Sequence, residues 1–269
     1  MFLNNKDLLT IFTNSKNKLQ NKNILHFFSF KNINNNVKNI LPKKYLIFGY
    51  NINFLYSLFS SYIVILLCDK ILIKFFSRKA RYFQLHSCIN LIITYRIAPD
   101  IINFLVDPLK SYKLLDNSFD SYLILVLHFY HILITKKLAY VETVHHILFV
   151  LFGVLPTICF IKTNQIYLGY IACSGIPGIF EYGLLSLLKN NIITIQKQKI
   201  YTAYLYNYFR YPLALYGCYL NFIAWKYNKI LNNDNYYLSI YINILLFLNG
   251  SVFNHLTIKS YYLKKINSS

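Results

Sequence analysis

The sequence predicts an all-α fold, a multi-pass bundle of about seven membrane-spanning helices, with six and eight as the bounds. Three observations predict it. Of the 269 residues, 56% are hydrophobic and only 14% are charged, where an ordinary soluble domain carries about 25% charged residues. The apolar stretches recur at the length, roughly 20 residues, that crosses a hydrocarbon core about 30 Å thick as a helix. Most of these stretches also lack the charged outer stripe that a soluble helix needs.

Residues 1–42 form a basic tail rich in Asn and Lys, with short apolar islands at 8–12 and 24–30. The islands are too short for a signal-peptide core, and no small-residue cleavage site follows them. A weakly structured tail with an interfacial helix fits the composition. Its single acid, Asp7, is in keeping with a transit peptide, but its poverty in Arg is not.

The membrane domain runs over 43–261. The first span, 45–67, is followed by a basic turn with Lys70, Lys74, Arg78, Lys79 and Arg81. The second, 82–106, carries His86, Asn90, Arg96 and Asp100, and Pro99 should bend it. An acidic loop (Asp107, Asp116, Asp120) leads to a short third span, 122–135, which a re-entrant segment would also satisfy. Lys136 and Lys137 mark a tight connection to the fourth, 141–161. The fifth covers 167–188, the sixth 201–225 and the seventh 237–258, before a short basic tail at 262–269. Lys and Arg are nearly balanced between the two sides. A slight excess places the 70–81 turn and the C-terminal tail in the cytosol.

The formal net charge is +19. The residues in excess (Lys, Asn, Ile, Tyr, Phe) are those of AT-rich codons. Loop lysine beside anionic headgroups explains the charge. No basic helix with interleaved aromatics is present, so nucleic acid is not expected as a partner. Five scattered cysteines without a CxxC pair read as small buried apolar residues, neither a disulfide frame nor a zinc site.

Titratable groups inside spans cost about 2.5–3.5 kcal/mol each for Asp, Lys or Arg at a helix centre. They therefore face the bundle interior, where they pair or act. Here they are His86, Arg96, Asp100, His128, His131, Glu142, His145, His146, Glu181 and Arg210. Arg96 and Asp100 stand at i and i+4, the spacing of a local ion pair. His128 and His131 share a face in HFYHIL. In ETVHHILFV, Glu142, His145 and His146 share a face with Phe149 and Gly153. These histidines admit two readings, packing in the core or work in one internal polar site. Histidine-box metal oxidases need more histidines than the seven present here, and Glu142 stands where an HxxHH box wants histidine, so no metal is expected. In SGIPGIFEYGLL, Gly169, Gly175 and Gly178 would let a helix approach closely. Pro177 frees the carbonyl of Cys173 and kinks the fifth span before Glu181, for which Arg210 is the natural partner.

RYFQLHSCIN, HFYHIL, ETVHHILFVLFG, the GIPG-x-x-E-Y element at 175–182 and the N-x-x-R-x-P element at 207–212 together resemble the TRAM-LAG1-CLN8 (TLC) superfamily, in a divergent protist-type branch. The resemblance covers about residues 45–225 and implies a helix bundle around a lipid-accessible cavity. It implies that membrane lipids are the partners, with self-association open, and that the endoplasmic reticulum is the favoured membrane. Ceramide synthases of that superfamily transfer an acyl group from acyl-CoA through paired histidines, which His145 and His146 match. Where those enzymes carry an acidic HD-x-x-D cluster, this chain has Glu181 alone. The resulting expectation is a protein that binds or modifies membrane lipid. His145, His146 and Glu142 are its catalytic candidates, Glu142 fixing the tautomer of His146. His86, Asn90, His128, His131, Glu181 and Arg210 are its lipid- and headgroup-binding candidates. Acyl-CoA is the co-substrate, with no other cofactor. The alternatives are a non-catalytic lipid sensor or scaffold and, behind it, a transporter or a histidine-metal lipid oxidase.

Overall fold

The computed structural model describes residues 46–47, 50–115, 119–135, 138, 140–161, 163–227 and 236–266. The tail at 1–42, the start of the first span at 45, the Lys136–Lys137 connection and residues 267–269 lie outside the described residues. The chain divides into two compact units, Met1–Leu55 and Tyr56–Ser269. In the first, β1 (Leu46–Ile47) pairs antiparallel with β2 (Tyr50–Asn51), and α1 (Ile52–Phe75) begins. Among the described residues after it, every longer element is helical, and Leu114 and Thr163 form an isolated antiparallel bridge between loops.

A 3₁₀ turn at Arg78–Ala80, capped by the Ser77 hydroxyl accepting from the Lys79 N–H at 3.1 Å, leads directly into α2 (Arg81–Val106). Leu85, Ile89, Ile93 and Ile97 recur every fourth residue on α2, and all are buried in the main apolar core. This stripe meets α3 (Phe119–Ile134), in which every residue from Asp120 to Leu127 is buried. At 16 residues and 1.5 Å per residue, α3 is only about 24 Å long. It is apolar all round because protein, not lipid, surrounds its first half.

The fourth predicted span is one run of three conformations: α4 (Tyr140–His145), the π-helix π1 (His146–Val154) and α5 (Leu155–Phe160). The fifth is broken into α6 (Ile166–Cys173) and α7 (Ile176–Lys189), and the N–H groups of Ser174 and Gly175 both donate to the Tyr170 carbonyl at the break. The sixth starts earlier than its apolar stretch. Thr194 caps α8 (Ile195–Leu205), then π2 (Tyr206–Arg210) and α9 (Tyr211–Lys226) follow. Helix α10 (Tyr236–Ile266) closes the bundle.

Among the described residues, four helical runs are long and apolar enough to cross a membrane: Arg78–Val106, Glu142–Phe160, Ile166–Lys189 and Tyr237–Ile266. The first, third and sixth predicted spans have other forms. Helix α1 carries Asp69, Lys70 and Lys74, α3 is short and central, and α8 is polar, with Lys197 and Lys199. Large apolar side chains such as Tyr95, Val106 and Leu133 stand 78–82% exposed on the outside, the surface of a body whose solvent is hydrocarbon.

Arg96 does not pair with Asp100. It donates to Asp120 at 2.7 Å, while Asp100 accepts from Lys113 at 2.8 Å and from the Asn164 amide at 2.8 Å. Asp120 sits in the first turn of α3, where unpaired backbone N–H groups favour a carboxylate. That bridge also joins two helices, which an i,i+4 pair does not. At the opposite end of α2, Arg81 forms a forked ion pair with Asp69, and the Tyr130 hydroxyl donates to the same carboxylate at 2.6 Å. Asp69→Ala removes the acceptor from both partners. Because Arg81 is one-third exposed, the cost is set at about 2 kcal/mol, below the range for fully buried pairs. Tyr130→Phe loses two hydrogen bonds, one donated to Asp69 and one accepted from Arg81, and costs about 1–2 kcal/mol. Thermal unfolding in detergent micelles followed by circular dichroism measures both.

Candidate functional site

A histidine in a helix can donate its Nδ1–H to the carbonyl one turn earlier, which fixes its tautomer and leaves Nε2 as a lone-pair acceptor. Three histidines do this. His86 Nδ1 bonds the Tyr82 carbonyl at 3.3 Å, His128 the Ile124 carbonyl at 2.8 Å and His146 the Glu142 carbonyl at 2.6 Å. A carbonyl only accepts, so each Nδ1 carries the proton. Glu142 thus orients His146, through its backbone oxygen one turn back.

These helices bring five imidazoles together. His86 on α2 lies 5.6 and 5.5 Å, between ring centroids, from His128 and His131 on α3. His146, at the start of π1, lies 5.3 Å from His128 and 5.1 Å from His131. His145 is 5.7 Å from both His128 and His146. Tyr82 stacks on His131 at 3.7 Å, closing the cluster from α2. Among the described residues, no group of three His, Cys, Asp or Glu side chains is arranged to hold a metal ion.

The cluster borders a cavity of about 130 Å³. His86, Asn90, His128 and His145 line it on one side, and Glu181 and Arg210 on another. The rest of the wall is largely apolar, including Ile124, Val150, Leu245 and Leu246. His131 and His146 stand behind this wall, 2% and 8% exposed, with His131 Nδ1 and His146 Nε2 finding no partner among the described residues. His86, His128 and His145 are the imidazoles that line the cavity, and of these His128 and His145 are half-buried. Of the adjacent pair it is therefore His145 that lines the cavity. His146 orders the ring cluster from behind.

On the other side, Arg210 ends π2. Its guanidinium donates to Glu181 at 3.2 Å and to Asn249 of α10 at 2.9 Å, and also bonds the Tyr206 hydroxyl, which itself donates to Glu181 at 2.6 Å. Phe253 joins the two sides, lying 5.6 Å from the His145 ring and 5.3 Å from the Arg210 guanidinium. The charges of Arg210 and Glu181 balance within the protein. Asn90 packs so closely on Gly178 that a Cβ there would overlap its amide nitrogen, which ties α2 to the start of α7. Gly169 behaves otherwise. Rather than admitting a helix, it faces the cavity, where a Cβ would meet no atom within 4 Å.

Sequence reasoning did not single out Tyr82, Tyr206 or Asn249. Tyr82 and Tyr206 had a signal, each lying four residues before a flagged group, His86 and Arg210. Asn249 had none beyond being polar in an apolar run. The two π-helices were also missed. Each closes with an i→i−5 bond, from Leu155 N–H to the Val150 carbonyl and from Tyr211 N–H to the Tyr206 carbonyl, and a proline follows at once, Pro156 or Pro212. Those prolines were the legible mark.

No protein-family model, curated protein or solved structure matches the chain.

A double-mutant cycle tests the polar side of the site. Glu181→Gln or Arg210→Met alone leaves an uncompensated charge in the bundle, whereas the double variant removes both. Unfolding in micelles should give a coupling energy of about 1–3 kcal/mol. Additive costs would mean that the pair is not formed.

Proposed function

We propose that the chain is an integral membrane protein of TLC type, with about seven spans in a membrane such as that of the endoplasmic reticulum, that holds a membrane lipid in its internal cavity and transfers an acyl group to it. The observation that carries this reading is the convergence of His86, His128 and His145 on one largely apolar cavity, with a balanced ionic cluster across it. A cavity of that lining suits a molecule with a hydrocarbon body and a small polar head.

The chemistry follows from the imidazoles. The acceptor is a hydroxyl or amine on the bound lipid, and the donor is a long-chain acyl-CoA. An imidazole lone pair, on His145 or on Nε2 of His128 beside it, takes the proton as the lipid oxygen or nitrogen bonds to the thioester carbonyl carbon. The tetrahedral intermediate then collapses, the C–S bond breaks, and the imidazolium returns the proton to the leaving thiolate. Imidazole suits this exchange because its ordinary pKa lies near working pH. The Glu181–Arg210–Asn249 side receives the polar head through hydrogen bonds, since its net charge is zero.

A second reading has its own support. His86, His128 and His146 all spend Nδ1 on their own helices, and His146 is sealed behind the wall, which is also how a purely structural ring cluster would look. On that reading the protein is a non-catalytic lipid sensor or scaffold. Purified full-length protein given acyl-CoA and a lipid acceptor separates the two. Acyl transfer should appear and should fall by about 10²–10⁴-fold in His145→Ala, the range for loss of a general base. A folded His145→Ala protein with undiminished transfer excludes His145 as the base. Bound lipid without any turnover of acyl-CoA establishes the sensor.

A further inference from the structure

The cavity does not end at the histidines. A second, smaller one of about 20 Å³ abuts it, and the two share Ile166, Gly169, Ile242 and Leu246 as lining. At Gly169, in the middle of α6, the wall carries no side chain and a Cβ would meet nothing within 4 Å. Glycine inside a helix costs about 1 kcal/mol relative to alanine. No turn and no close helix contact requires it here, so its effect is the space that it leaves open. The far end of the smaller cavity is polar but internally satisfied. The Gln165 amide donates to the Ser239 hydroxyl at 3.3 Å, and Asn221 donates to Asn243 at 2.9 Å and accepts from Tyr112 at 3.5 Å.

We infer that a single hydrocarbon chain of the bound lipid runs from the histidines past Gly169 into the smaller cavity, and that Gly169 sets the length of chain the site accepts. This rests on the lipid-holding reading above and adds the class of ligand: a single-chain amphiphile. Three features carry it. The lining shared by the two cavities is aliphatic apart from Gly169, and apolar space of this kind stays dry and takes apolar atoms. The smaller cavity, at about 20 Å³, has room for about one methyl- or methylene-sized group, which suits the end of a polymethylene chain and not a fused ring system. The floor of Gln165, Ser239 and Asn221 cannot be displaced without breaking hydrogen bonds that are already made, so it ends the apolar path at a fixed depth. The Cβ of a leucine at 169 would meet no atom within 4 Å, and the rest of the side chain would take up room in this passage. A phenylalanine at 242 would close it from α10.

The experiment uses full-length protein in detergent micelles and, as probes, a homologous series of straight-chain fatty alcohols together with a sterol, with binding read by native mass spectrometry. Wild type should bind alcohols up to a cut-off length and reject the sterol. Gly169→Leu and Ile242→Phe should each weaken the longest bound members by about tenfold or more, the effect of steric exclusion in an apolar pocket, and shift the cut-off to shorter chains. Gly169→Ala, which adds only one methyl to the same passage, should shift the cut-off by less than Gly169→Leu does. If folded Gly169→Leu and Ile242→Phe both keep the wild-type cut-off, the chain does not pass Gly169 and the inference is overturned, while lipid holding stands. Should Gly169→Leu fail to fold, Ile242→Phe decides alone. Sterol binding as strong as that of the alcohols overturns the single-chain assignment. If no probe binds wild type, the lipid-holding reading itself falls, and this inference with it.

Discussion

Hydrocarbon offers no hydrogen bonds, so a polar group inside a membrane bundle must find its partner on another part of the chain. That constraint organises this protein. The Asp69–Arg81–Tyr130 cluster draws α1, α2 and α3 together at one level, and Arg96–Asp120 draws α2 to α3 at another. Glu181, Arg210, Tyr206 and Asn249 do the same for α7, π2 and α10. The imidazoles of His86, His128, His131 and His146 fill the space between α2, α3 and π1 with ring contacts 5.1–5.6 Å apart. Each cluster ties together elements distant in sequence. Their positions leave between them a cavity with polar patches on two sides and aliphatic walls on the rest.

Helical irregularity shapes the same cavity. Pro156 and Pro212 have no N–H to offer the carbonyl four residues earlier, and the turns just before them widen into π1 and π2. π-helical turns recur at functional sites because they swing side chains out of regular register. Here one such run begins at His146 and the other ends at Arg210, so both irregular stretches bear on the site. The α6–α7 break acts similarly, turning the chain at Gly175 before Glu181 projects towards Arg210.

The helical class was legible in composition and in the length of the apolar runs, because both answer directly to the solvent. That polar residues such as His86, His131, His146 and Arg210 turn inward was legible too, since charge and imidazole are expensive in hydrocarbon. Partner choice was not. Arg96 and Asp100 have ideal local spacing yet pair elsewhere, because spacing along one helix says nothing of what a neighbouring helix or loop presents. Gly169 has the composition of a packing contact and opens a void instead. His145 and His146 are adjacent in sequence, yet only His145 lines the cavity; their order of depth depends on the rotation of the helix against α3. The third span showed its apolarity but not its central place, since lipid and protein surroundings select the same side chains.

Five imidazoles meet inside the bundle, and those of His86, His128 and His146 commit Nδ1 to the carbonyl one turn earlier on their own helices. Two-bond ¹⁵N–¹H correlation spectra of histidine-labelled protein in micelles, assigned by single substitutions, test it directly. His86, His128 and His146 should show the Nδ1–H tautomer with a bare Nε2. The common Nε2–H tautomer at these three positions would mean that the carbonyl bonds are not made, and would contradict the arrangement from which the site is built.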